Sequence, residues 1–178
     1  PVSTFEDRYT AMLDSLDQVG VENGVLIAVG DVTFIPHLSP GAAYYQAKQG
    51  GQLPPTFDVA DNCQPAEAGS TTLVPFRYGF GDLLRRAQVG TSVTLDCQAD
   101  ARVLTGDEVQ TFRSRVQSYN QFIEDQAQTR GWAFVDLNPI FASLRASGDI
   151  PAFPNTSNPQ EAFGAYFSLD GVHPSALA

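Results

Sequence analysis

Two passages from a helix into a short apolar strand constrain this chain more than any other feature. In the first, Phe5, Tyr9, Met12, Leu13 and Leu16 recur at helical spacing and should face a core. Ser3-x-x-Glu6 has the form of a capping box, and Gly20 with the Asn23-Gly24 pair stops the helix. The unbroken apolar run Val25-Leu26-Ile27-Ala28-Val29 then suits a parallel strand covered on both faces. A helix feeding such a strand is half of a right-handed crossover unit. Gly30-Asp31 marks the strand's C-terminal end, where open α/β sheets place their ligand sites.

The second passage opens at Thr105-x-x-Glu108, another capping box, and predicts a helix to about Thr129. Its inward face carries Val109, Phe112, Val116, Tyr119, Phe122, Ile123 and Ala127. Arg130-Gly131 ends it, residues 132–135 make the next strand, and Asn138-Pro139 starts a short helix to roughly Arg145. Asp136 either caps that last turn or bonds loops at the sheet edge.

From about Ile35 to Arg102 regularity falls away. Pro36, Pro40, Pro54, Pro55, Pro65 and Pro75 punctuate the segment, while Tyr44-Tyr45, Leu73-Val74, Phe76, Tyr78 and Phe80 give it apolar content. Short helices are expected near 42–48 and 80–87, and short strands at 93–95 and 101–104. An irregular stretch this long is usually functional. It reads as an insertion over 38–104 that shapes a substrate pocket or, alternatively, as a structural excursion fastened by a disulfide. Cys63 and Cys97 are the two cysteines; they form either that disulfide or a pair of buried thiols. A disulfide would close a loop of about 35 residues, worth roughly 4 kcal/mol in the chain-entropy model. It would also place the chain outside the reducing cytosol: secreted, periplasmic or surface-attached.

Composition narrows the function classes. With 43% hydrophobic and 11% aromatic residues, the chain lies outside the disordered class. Its formal net charge is -10, and Lys48 is the sole lysine. No basic stripe exists to neutralise phosphates, which excludes nucleic acid as a partner. No apolar run approaches the roughly 20 residues of a transmembrane segment. The two histidines, His37 and His173, are far apart in sequence and no His-x-x-x-His pair occurs. No metal site and no cofactor is implied.

Residues 148–167, rich in proline and asparagine, lead as a loop into Phe167-Ser168-Leu169-Asp170-Gly171-Val172-His173-Pro174-Ser175. Asp170 and His173 stand three apart in a turn-forming segment. An aspartate beside an imidazole fixes its tautomer and stabilises its protonated form, as a general base requires. The alternative is an aspartate that caps backbone donors beside a surface histidine. The loop is expected to bring this pair to the sheet edge that Gly30-Asp31 occupies. Asp31, Phe34 and His37 are candidate pocket residues there, with loop capping or core packing as their other roles.

The Asp-Gly-Val-His-Pro-Ser block, preceded by an aromatic and Ser-Leu, resembles the C-terminal block of the SGNH hydrolases, the GDSL lipases and esterases. Residues 25–33 and 132–137 are similar to strand segments of bacterial members. The resemblance implies a flavodoxin-like three-layer α/β/α fold and hydrolysis of carboxylic esters, with Asp170 orienting His173, the general base. The family's Gly-Asp-Ser block is absent: the Gly-Asp pairs continue with Val32, Leu83, Glu108 and Ile150. The Gly-x-Asn-Asp block is absent too, and Ser39, Ser70 and Ser168 sit in no recognisable nucleophile elbow.

Residues 1–178 are therefore expected to form the C-terminal portion of one SGNH domain, incomplete at the N-terminus and clipped at the C-terminus. A missing N-terminal portion would supply the serine and oxyanion donors, and an unusually apolar surface should mark where it belongs. Two other readings stand beside the lipase or esterase. One is a polysaccharide O-acetyl esterase of the same fold. The other is a noncatalytic carbohydrate- or surface-binding module presenting Tyr44, Tyr45, Phe76 and Tyr78 as an exposed platform.

Overall fold

In the computed structural model, which describes residues 1–177, the chain is a mixed α/β fold divided into two units. The first unit comprises Pro1–Val32 and Thr111–Phe141; the second comprises Thr33–Gln110 and the segment from Ala142 onward. Among the described residues the strands form three two-stranded sheets, two parallel and one antiparallel.

The first unit is built from α1 (Val2–Gln18), β1 (Val25–Ile27), most of α5 (Gly106–Arg130) and β6 (Ala133–Val135). β1 and β6 pair in parallel with Leu26 opposite Phe134. Leu13, Leu26, Ile123, Ala127 and Trp132 are buried together, with Phe5, Tyr9 and Phe134 packed against them. Phe5 stacks on Tyr119 at 4.2 Å between ring centroids. Both helices end on glycine in the left-handed region, Gly20 at φ 81° and Gly131 at φ 67°. In each case the following amide reaches back five residues, Val21 to Leu16 and Trp132 to Ala127, which satisfies carbonyls that the helix end would leave open.

Three expectations for this unit are corrected. α1 begins at Val2 with Pro1 before it and no side-chain cap, so Ser3 lies inside the first turn and forms no capping box with Glu6. Met12 and Leu16 are exposed, unlike Leu13; the buried stripe is narrower than the apolar one. β1 is shorter than residues 25–29, and it is covered on one face only. Val25 and Ile27 are 59% and 60% exposed, and Val135 on β6 is exposed as well. These residues share the sheet face opposite Leu26 and Phe134, and within the unit nothing is packed over it.

The second unit holds the proline-punctuated segment, and it is more regular than its sequence suggests. β2 (Leu38–Pro40) pairs antiparallel with β4 (Leu73–Pro75), and β3 (Phe57–Val59) pairs in parallel with β5 (Val93–Leu95). α2 (Gly41–Gln49) follows β2. The expected helix at 80–87 is one continuous helical stretch of three parts: α3 (Phe76–Tyr78), a π-helical segment Gly79–Leu84, and α4 (Arg85–Gln88). The strand expected at 101–104 is reduced to a bridge between Leu104 and Leu73.

The core of this unit includes Tyr44, Phe57, Val59, Val74, Leu83, Leu95 and Val103. Cys63 and Cys97 are joined by a disulfide within it. Gly41 is there because a Cβ would stand 2.3 Å from the Cys97 sulfur. Tyr44 is 1% exposed and Tyr78 is buried too, so these rings cannot form an exposed platform. Arg145 ties the C-terminal loop down: Nη1 donates to the Pro151 carbonyl at 2.7 Å and Nη2 to Leu38 at 2.9 Å.

Candidate functional site

The segment carrying Asp170 and His173 closes on itself. The Ser168 N–H donates to the His173 carbonyl and the Gly171 N–H to the Ser168 carbonyl, both at 2.9 Å. Phe167 and Pro174 form an antiparallel bridge. Gly171 is left-handed at φ 68°, a conformation costly for other residues. A Cβ there would also lie 3.0 Å from the His37 nitrogen and 3.1 Å from the Phe163 ring.

Within this turn the Asp170 carboxylate divides its partners cleanly. Oδ1 accepts from the Ser168 hydroxyl at 2.5 Å, the Val172 N–H at 2.9 Å and the His173 N–H at 3.0 Å. Oδ2 faces His173 Nδ1 at 2.5 Å. The Ser168 hydroxyl, the His173 ring and the two amides, in that order, hold the Asp170 carboxyl well below the ordinary carboxylate range. An ionised carboxylate only accepts, so Nδ1 carries a proton, and in the neutral ring the lone pair is then on Nε2. That is the tautomer a general base needs. The His173 side chain is 76% exposed, so Nε2 is accessible. The turn therefore caps backbone donors with one carboxylate oxygen and holds an exposed imidazole against the other.

His37 belongs to the same cluster. Its N–H donates to the Gly171 carbonyl at 2.9 Å, its carbonyl accepts from Phe76 at 2.7 Å, and its Nδ1 lies 3.1 Å from the Asp170 carbonyl. Beneath it the Phe76 ring meets Phe163 edge-on and Phe80 in a stack, each with centroids 5.1 Å apart. His37 thus anchors the turn to an aromatic floor. Phe34 is half-buried in a short 3-10 turn, Val32–Phe34. Ser39 is fully buried, and Ser70 is bonded to the Glu67 carbonyl. Among the described residues, no serine hydroxyl is hydrogen-bonded to the His173 ring.

Asp31 lies in the first unit. Its side chain is ion-paired with Arg113 at 3.5 Å, and its N–H donates to Asn138 Oδ1 at 2.6 Å. Asp136 Oδ1 accepts from the Asn138 N–H at 2.9 Å and side-chain amide at 2.8 Å, which caps the start of α6 (Asn138–Ser147). Asp31 and Asp136 share a cleft of about 310 Å³ with Arg113, Asn120, Phe134 and Asn138. It opens beyond the C-terminal ends of β1 and β6.

Sequence reasoning missed Asn120 and Arg145. Asn120 is buried in the middle of α5; it accepts from the Val29 N–H at 2.7 Å and donates to the Val29 carbonyl at 3.0 Å. The signal was present, since Asn120 falls on the stripe of Val116, Ile123 and Ala127. A polar residue on an apolar stripe demands a buried partner. Arg145 gave no comparable signal, because its partners are backbone carbonyls, one of them distant in sequence. Among the described residues no group of three or more His, Cys, Asp or Glu side chains is arranged to hold a metal ion. Among the described residues, no helix is long and apolar enough to cross a membrane. Comparison with protein-family models, with curated proteins and with solved structures returns no match.

Proposed function

We propose that this chain supplies the acid–base half of a serine ester hydrolase of SGNH type. The observation that carries this reading is the 2.5 Å contact between His173 Nδ1 and an Asp170 carboxylate whose other oxygen is already engaged. His173 Nε2 takes the proton from a serine hydroxyl as it attacks the ester carbonyl, and Asp170 stabilises the imidazolium that forms. His173 then returns the proton to the departing alkoxide, and the second half-reaction repeats the exchange with water.

The serine and the oxyanion donors come from a segment that this sequence does not contain. The bare face of the β1–β6 sheet supports this part of the reading. Purely parallel sheets occur almost only with both faces covered and with several strands, whereas this one has two strands and exposes Val25, Ile27 and Val135. The three-layer α/β/α architecture would be completed by elements laid on that face and alongside the free strand edge. Short acyl groups, including acetyl groups on a polysaccharide, fit the same chemistry. The burial of Tyr44 and Tyr78 weighs against a noncatalytic aromatic platform.

A fluorophosphonate probe followed by intact-mass measurement tests the proposal. The 178-residue chain should take no label. A longer polypeptide containing it and a Gly-Asp-Ser segment should be labelled at that serine, and His173→Ala should abolish the labelling. Stoichiometric labelling of a serine within the isolated chain would overturn the division of roles.

A further inference from the structure

We infer that Ser168 is a positioning residue for the Asp170–His173 pair: its hydroxyl holds the plane of the carboxylate so that one oxygen stays aimed at the imidazole. The inference rests on the proposed reading of that pair and assigns Ser168 a role other than nucleophile.

A carboxylate on a free side chain rotates about a broad, roughly two-fold torsion, so its plane need not point an oxygen at His173. In this turn the plane is fixed by donors. Two come from the backbone after Asp170, the N–H groups of Val172 and His173, and one comes from the residue two before it, the Ser168 hydroxyl. All three converge on Oδ1, leaving Oδ2 for Nδ1.

Ser168 is itself fixed on both sides of its Cα. Its N–H bonds the His173 carbonyl and its carbonyl accepts from Gly171. The hydroxyl therefore delivers its hydrogen bond from a clamped position, and at 2.5 Å it falls in the range of charge-assisted O–H···O⁻ bonds. A nucleophile would have to present its oxygen to Nε2. The Ser168 hydroxyl is instead committed to the carboxylate on the opposite side of the relay.

Nuclear magnetic resonance of the 178-residue chain reads this without any catalytic assay. Imidazole nitrogen shifts at alkaline pH report the His173 tautomer, and the Asp170 carboxyl carbon reports its titration. In the native chain His173 should be the Nδ1–H tautomer. In Ser168→Ala the Asp170 titration should move up toward the ordinary carboxylate value and an Nε2–H population should appear at His173. Ser168→Thr, which keeps the hydroxyl, should retain the native pattern in both signals.

A Ser168→Ala chain with native tautomer and native Asp170 titration overturns the inference. So does a Ser168→Thr chain that behaves like Ser168→Ala, since the effect would then come from packing. Asp170→Asn separates this failure from a failure of the pair itself. If Asp170→Asn shifts the tautomer and Ser168→Ala does not, only the role of Ser168 falls. If Asp170→Asn leaves the tautomer unchanged, the proposed pair falls with it.

Discussion

His37 grips the turn that carries Asp170: its N–H bonds the Gly171 carbonyl and its Nδ1 stands 3.1 Å from the Asp170 carbonyl. Both histidines of the chain thus meet at one turn, although they lie near opposite ends of the sequence. One histidine presents its ring to solvent; the other holds the backbone that orients it.

That grip makes Gly171 a sensitive position. Gly171→Ala places a Cβ at a left-handed φ of 68° and 3.0 Å from the His37 nitrogen. Left-handed backbone alone costs about 1–2 kcal/mol for an L-residue. Urea unfolding should show at least that loss, and the His37 N–H should lose its protection from hydrogen exchange.

Reduction of Cys63–Cys97, or replacement of both by serine, should destabilise the second unit by about 4 kcal/mol in the chain-entropy model. The bridge spans a sequence separation of 34 residues through a core that includes Val59 and Leu95. Denaturant melts with and without reductant check this, with the β3 and β5 amides as the local reporters.

Asn120→Leu should destabilise the first unit by about 2 kcal/mol, because it strands the Val29 N–H and leaves the Val29 carbonyl with the Asn138 amide alone. Asn120→Gln, which keeps the amide but overfills the site, should recover only part of the loss. Equilibrium unfolding of both variants gives the comparison.

The depressed Asp170 titration fixes the sign of the turn's pH dependence. The folded-state value lies below the unfolded one. The stabilising contribution is therefore fully present above the ordinary carboxylate range near pH 4 and is lost as pH falls through the lower folded value. The Val172 and His173 amide resonances should keep their bonded positions from neutral pH to below about pH 4 and shift only in stronger acid. Asp170→Asn should remove that acid transition.

Much of this was legible where periodicity is long. The Thr105–Glu108 box forms, with Glu108 accepting from the Thr105 N–H at 2.9 Å, and α5 runs from Gly106 to Arg130. Its stripe at Val109, Val116, Ile123 and Ala127 is buried, whereas Phe112, expected on the same face, is 39% exposed because the chain packs nothing over it there. Short elements were harder to read. β2, β3 and β4 are each three residues long, too short for alternation to rise above composition, and their pairing depends on partners distant in sequence. Exposure of Met12, Leu16, Val25 and Ile27 could not be read at all from residue type, because it depends on what is packed opposite. At the site, the Asp170–His173 spacing suggested contact. The participation of His37 and Ser168 arises from turn closure, which spacing alone does not encode.

The most direct measurement is hydrolysis of p-nitrophenyl acetate by a polypeptide that unites this chain with an N-terminal Gly-Asp-Ser segment. His173→Ala should lower kcat by about a thousandfold or more, the scale of losing a triad base. Asp170→Asn should lower kcat with little change in KM. Activity that survives His173→Ala, in a protein shown to be folded, would contradict the assignment of His173 as the general base.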